Sequence, residues 1–205
     1  SLGGEVNFMI RKGDYKLMLT KKASSSMKDM MYNLATDPYE VNNLIGDNGL
    51  TASNEVIGKA EHLKILLVEW MQRNDGAANY YSDNKYNNYE GSGDIAEITN
   101  RRKWRTLSFW LSDTTLDFGK PVWTGSAYIR NEYLYLGRTN SGTVNVSSIS
   151  VQGADAGYFT VDTTNASISQ NNYVRVKVTF SSPTPVSISG LDAYIEVVND
   201  VHGTN

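Results

Sequence analysis

There is no cysteine among the 205 residues, which excludes a disulfide framework, a thiol nucleophile and a cysteine metal site. Histidine occurs only twice, and both are expected at the surface: His62 between charged neighbours in a helical segment, His202 near Asn205. Charged residues make up 20% of the chain and the net charge is -3, with no basic stripe, so a nucleic-acid partner is not expected. The compact basic group Arg101-Arg102-Lys103 with Arg105 reads as a solvated or partner-facing turn. No apolar run approaches the roughly 18 residues needed to span a bilayer. The chain opens Ser-Leu-Gly-Gly, without an initiator Met or a signal peptide, and is expected to be a fragment or a processed form.

What is present falls into two parts. In the first, apolar runs at residues 6–10 and 15–19 flank the turn Arg11-Lys12-Gly13-Asp14, which predicts a β-hairpin. A third run, residues 30–34, stops before Asp37-Pro38. Asp37 is placed to cap nearby backbone N–H groups, Glu40 to begin a helical turn, and Leu44 to anchor it. Thr51 or Ser53 then caps a helix in which Val56, Ala60, Leu63, Leu67 and Trp70 share one face, and Asn74-Asp75-Gly76 ends it. Residues 79–93 are rich in Tyr, Asn, Ser, Asp and Gly and have no period. Residues 95–110 are expected to hold a short helix.

The second part begins near Leu116, where Thr, Ser, Val, Ile and Gly replace charge. Strand-like runs recur at residues 128–136, 144–151, 158–161, 173–180 and 193–198. Residues 174–180 alternate strictly between apolar and polar, the pattern of a half-buried strand. The expected class is α+β: a small antiparallel sheet with a packed helix over residues 1–112, then an immunoglobulin-like β-sandwich over 113–205.

Two runs carry family resemblances. The first comprises residues 9–17, Met31-Tyr32-Asn33-Leu34, Asp37-Pro38-Tyr39-Glu40, Asn43-Leu44 and the helix end Val68-Glu69-Trp70. In order and spacing it resembles the C-terminal region of bacterial sulfatases of the alkaline-phosphatase-like superfamily. The second joins Thr115-Leu116-Asp117-Phe118-Gly119, Tyr133-Leu134-Tyr135-Leu136, Thr139-Asn140-Ser141-Gly142, residues 149–159 and 176–180. It looks like an immunoglobulin-like module of the Hydin type. The resemblances imply a non-catalytic tail of a secreted, periplasmic or extracellular sulfatase, with a spacer or interaction module attached. The implied partners are a catalytic domain N-terminal to this chain and a sulfated polysaccharide. A homo-oligomer formed through uncovered apolar surface is the alternative use of the same face.

The family's chemistry is missing from the chain. Sulfatases carry their nucleophile in a Cys/Ser-x-Pro-x-Arg run, and none of Pro38, Pro121, Pro183 and Pro185 is followed by Arg at that spacing. The clustered Asp and Asn that hold the family's divalent cation, such as calcium, are not found either. Asp83, Asn84 and Asp94 lack the spacing of a calcium loop. No catalytic, cofactor or metal residue is therefore assigned to this chain, and no cofactor is expected in it.

Two sets of contact residues remain. Tyr80, Tyr81, Tyr86, Tyr89, Trp104 and Trp110 suit either stacking on sugar rings or cementing domains together. The second use is the commoner fate of aromatic clusters. Arg11 and Lys12, in the hairpin turn, are placed to reach a sulfated substrate at a cleft edge, or simply to face water. A stand-alone carbohydrate-binding or cell-surface module is the competing function.

Overall fold

The computed structural model describes residues 7–20, 29–46, 52–73, 107–201 and 203–204. The chain divides into two compact units, Ser1–Arg105 and Thr106–Asn205. This boundary falls earlier than residue 113, because Trp110–Leu111 forms a strand that belongs to the second unit's sheet. The described residues form antiparallel sheets and one α-helix, a mixed α+β class.

In the first unit, β1 (Asn7–Lys12), β2 (Tyr15–Thr20) and β3 (Met30–Asn33) form an antiparallel sheet in chain order. Gly13, at φ 55°, takes the first position of the two-residue turn between β1 and β2, a left-handed conformation that glycine adopts without a Cβ clash. Strand alternation gives the sheet two faces. Leu17, Leu19 and Met31 are fully buried on one of them.

Helix α1 (Asn54–Arg73) lies against β1 and β2 on that face, with the Lys59 ammonium 5.0 Å from the centre of the Tyr15 ring. The Ser53 hydroxyl accepts from the Val56 N–H at 3.2 Å and so caps the helix, while Glu55 and Arg73 suit its dipole. Ile57, Ala60, Leu63, Leu67 and Met71 form its buried stripe.

Two sequence expectations change here. Trp70 is 57% exposed and Met71, at 1%, closes the apolar face instead. His62 is buried rather than on the surface, because the helix also buries its flank at Gly58 and Glu61. Glu61 makes a 2.6 Å ion pair there with Lys64, one turn along.

The second unit contains two antiparallel sheets. In one, β6 (Tyr128–Gly137) pairs with β10 (Tyr173–Ser182) along its whole length. Strand β8 (Phe159–Val161) flanks β10, and the short strands β4 (Trp110–Leu111) and β5 (Val122–Trp123) flank β6. The other sheet runs β12 (Gly203–Thr204), β11 (Tyr194–Asn199), β7 (Thr143–Gln152), β9 (Ala166–Ser169).

Leu134, Leu136 and Val176 from the first sheet meet Val144, Ile149, Ile168 and Val197 from the second in one apolar core. Buried positions in β7 switch from even to odd between Val146 and Ile149. The register with β11 skips Ser147 at that point, so a β-bulge re-phases the strand and keeps its apolar side inward. A second cluster surrounds Phe180, whose ring lies 5.4 Å from Phe159 and 6.1 Å from Tyr158.

Candidate functional site

The segment after β3 is built from polar side chains turned onto backbone. The Asp37 carboxylate accepts from the N–H groups of Val41 and Asn42 at 3.0 and 2.8 Å, the expected Asp-Pro turn. The Asn43 side-chain oxygen accepts from the Met31 and Ile45 N–H groups, while its NH2 donates to the Asp29 carbonyl. Ile45, 1% exposed, is the buried anchor in place of Leu44.

Glu40 starts no helical turn. It sits at φ 58°, and its two carboxylate oxygens receive the Lys16 ammonium at 2.8 Å each. Tyr32 lies beside Lys16 in the strand register and donates its hydroxyl to the Met30 sulfur at 3.1 Å. Burial, then the nearby Glu40 charge, pushes the Tyr32 phenol above its ordinary value, while Lys16 opposes the shift. Tyr32 is thus held as a neutral hydroxyl beside the Lys16–Glu40 ion pair.

On the sheet face opposite α1, the register sets Met9, Met18 and Met30 in one row across the three strands. Met9 is 57% exposed and the other two are half-buried. Arg11 and Lys12 are exposed beside the turn, and the Arg11 guanidinium donates to the Gly13 carbonyl at 3.0 Å, which ties it to its own hairpin.

Of the aromatic candidates, Tyr80, Tyr81, Tyr86, Tyr89 and Trp104 lie outside the described residues, as do Asp83, Asn84, Asp94 and the basic group. Trp110 is buried at 4% exposure and offers no stacking face. It stands opposite Gly137 in the β4–β6 register, and a Cβ at 137 would come within 2.1 Å of its ring. The indole therefore packs where only glycine leaves room.

Other aromatics are displayed that the sequence reading passed over. Trp123, half exposed, lies 4.9 Å from the Tyr128 ring, and the Arg175 guanidinium lies 5.1 Å from that of Tyr133. Their signal was positional: Tyr133 and Arg175 fall on outward positions of neighbouring strands.

The second unit also holds a cleft of about 710 Å³ between its sheets, lined by Leu116, Phe118, Phe159, Leu191, Ile195 and Val197 among others, with Asp113, Thr114 and Thr115 adding polar groups. Its size is that of a ligand pocket, but no set of acid, base and nucleophile converges on it. Among the described residues no group of three or more His, Cys, Asp or Glu could hold a metal ion.

A scan of the chain against models of known protein families finds no match, and a search among curated proteins finds none either.

Proposed function

We propose that the chain is the non-catalytic C-terminal portion of an exported sulfatase. In this reading the first unit completes the fold of a catalytic domain N-terminal to it, and the second is an immunoglobulin-like β-sandwich of the Hydin type that serves as spacer or interaction module. The parent enzyme would hydrolyse sulfate esters, with sulfated polysaccharide as the substrate class, in the periplasm or outside the cell. Its divalent cation would sit in the catalytic domain.

The observation that carries the proposal is the use of the motif residues. Asp37 and Asn43, two polar positions of the sulfatase-like run, are both spent on backbone N–H groups, and Asn43 joins its loop to β3. They are architectural, as a supporting subdomain requires. The methionine row supplies an adaptable apolar face on the side of the sheet that α1 leaves open.

In the second unit, the path β4-β6-β10-β8 follows the A-B-E-D order of an immunoglobulin domain. The path β12-β11-β7 follows G-F-C, with β9 added beyond C.

The test places Met9→Glu in two backgrounds, this chain alone and the full-length protein. Alone, the exposed position should tolerate the change within about 0.5 kcal/mol. In the full-length protein the buried charge should lower the melting temperature and the yield of arylsulfatase activity. Equal tolerance in both backgrounds, or an upstream reading frame without the nucleophile run, rejects the proposal. The second reading, a glycan-binding module, is favoured by the displayed Trp123–Tyr128 pair. It requires Trp123→Ala to abolish saturable binding of this chain to sulfated polysaccharide.

A further inference from the structure

Strand β10 turns one row of side chains into the second unit's core and the other away from it. Val176, Val178 and Phe180 are buried, so alternation places Arg175, Lys177 and Thr179 on the outer face of the sheet. The register adds Tyr133 opposite Lys177 and Asn131 opposite Thr179 on β6, and Thr160 opposite Thr179 on β8. No Asp or Glu stands at an outward position of these three strands.

Two of the outward residues are cations, in a chain of net charge -3. Successive outward positions on a strand lie about 7 Å apart, so Arg175 and Lys177 set two positive charges in line along β10. The Arg175 guanidinium lies 5.1 Å from the centre of the exposed Tyr133 ring, a stacking that orders its long side chain. Lys177 forms no ion pair among the described residues. The carboxylate beside it, that of Asp162, accepts instead from the Lys177 backbone N–H at 2.8 Å and the Thr163 hydroxyl at 3.1 Å. Thr179 donates to the side-chain oxygen of exposed Asn131 at 2.8 Å, so Asn131 keeps its NH2 as a donor.

This chemistry selects among occupants. Strands β6 and β10 pair along their whole length, so the face offers side chains and no backbone edge to a peptide. Its outward positions from Asn131 to Tyr133 and from Arg175 to Thr179 carry no aliphatic side chain to seat an apolar partner. The bases of single-stranded nucleic acid need open aromatic faces, and Arg175 already stacks on Tyr133. A polymer with spaced oxyanions and many hydroxyls meets both the cations and the neutral polar groups.

We propose that the outer face of the β6–β10 sheet binds a sulfated polysaccharide lying along β10. Sulfate oxygens accept from the Arg175 guanidinium and the Lys177 ammonium, while sugar hydroxyls bond to Asn131, Thr179 and Thr160. The choice of sulfate over carboxylate rests on the sulfatase reading; the site itself rests on the second unit alone.

Titration of this chain with dextran sulfate, unsulfated dextran and polygalacturonate tests the proposal. Dextran sulfate should bind saturably, dextran not at all, and polygalacturonate more weakly. Arg175→Gln and Lys177→Gln should each weaken dextran sulfate binding by about tenfold without changing the melting temperature. Arg175→Lys should also weaken it, because the charge survives while the planar, ring-stacked fork is lost. Amide chemical shifts of the unaltered chain locate the site independently, and dextran sulfate should move those of residues 131–133 and 175–179.

Absence of dextran sulfate binding would overturn the proposal, as would equal binding of dextran or polygalacturonate, or tighter binding of single-stranded DNA. Loss of binding in Trp123→Ala but not in Arg175→Gln would overturn it too, by placing the site at the Trp123–Tyr128 pair. None of these outcomes bears on the first unit. An upstream reading frame without the nucleophile run would reject the sulfatase reading and leave the role of Arg175 and Lys177 in binding measurable.

Discussion

In the first unit one helix covers one face of the sheet and polar side chains bonded to backbone fix the loop after β3, whereas in the second two sheets meet through interdigitated apolar and aromatic side chains. In the first, single residues carry whole segments: Asn43 bonds Met31 of β3, Asp29 just before it, and Ile45 within its own loop. In the second, the same task is spread over many side chains from two sheets, with Phe180 at the centre of one cluster. The contrast teaches where a fold is concentrated in short motifs and where it is diffuse. Short polar residues act locally and leave a recognisable string. A distributed core leaves only periodicity.

The largest expected effect that sharpens this contrast is at Phe180, which is fully buried against Phe159 and Tyr158. Phe180→Ala should cost about 3–5 kcal/mol. Amide exchange should show that loss in the second unit alone, and equal loss of protection in β1–β3 would break the division. Asn43→Ala comes next. It strands the N–H of buried Met31 and should cost about 1–3 kcal/mol, seen by denaturant unfolding as a shift confined to the first unit.

The smallest effect is electrostatic. The Asp200 carboxylate accepts from the backbone N–H and the side-chain amide of Asn145, at 3.0 and 2.8 Å, and those bonds hold its pKa below the ordinary 3.8. A depressed carboxylate pKa contributes stability that is present above 3.8 and is lost as pH falls through the lower folded value. Thermal melts from neutral to acid pH should therefore show a shallow acid decline that Asp200→Asn flattens.

Much of the fold was legible because alternation and burial share a cause. In residues 174–180 the expected inward set includes Val176, Val178 and Phe180, and all three are buried. The Asp37 turn was legible for a similar reason, since its hydrogen bonds reach no further than residue 42.

What could not be read was set by tertiary partners. Trp70 looked like the natural end of the helix stripe, yet a one-residue rotation puts Met71 inward. Trp110 looked available for a ligand, and only the pairing of β4 with β6 reveals that it covers Gly137. The cleft has no sequence signature at all. Its lining comes from both sheets and from the chain between β4 and β5, residues that only the folded unit brings together.

From β6 to β11, successive strands go to opposite sheets: β6, β8 and β10 to one, β7, β9 and β11 to the other. Neither sheet can therefore be completed from a contiguous stretch of chain, and the central pairing of β6 with β10 must wait for residues 138–172 to be brought round. During synthesis the second unit should stay unfolded until nearly all of it has left the ribosome, then form in one cooperative and comparatively slow step. A cut between β6 and β11 would leave partner strands of the same sheet on separate chains.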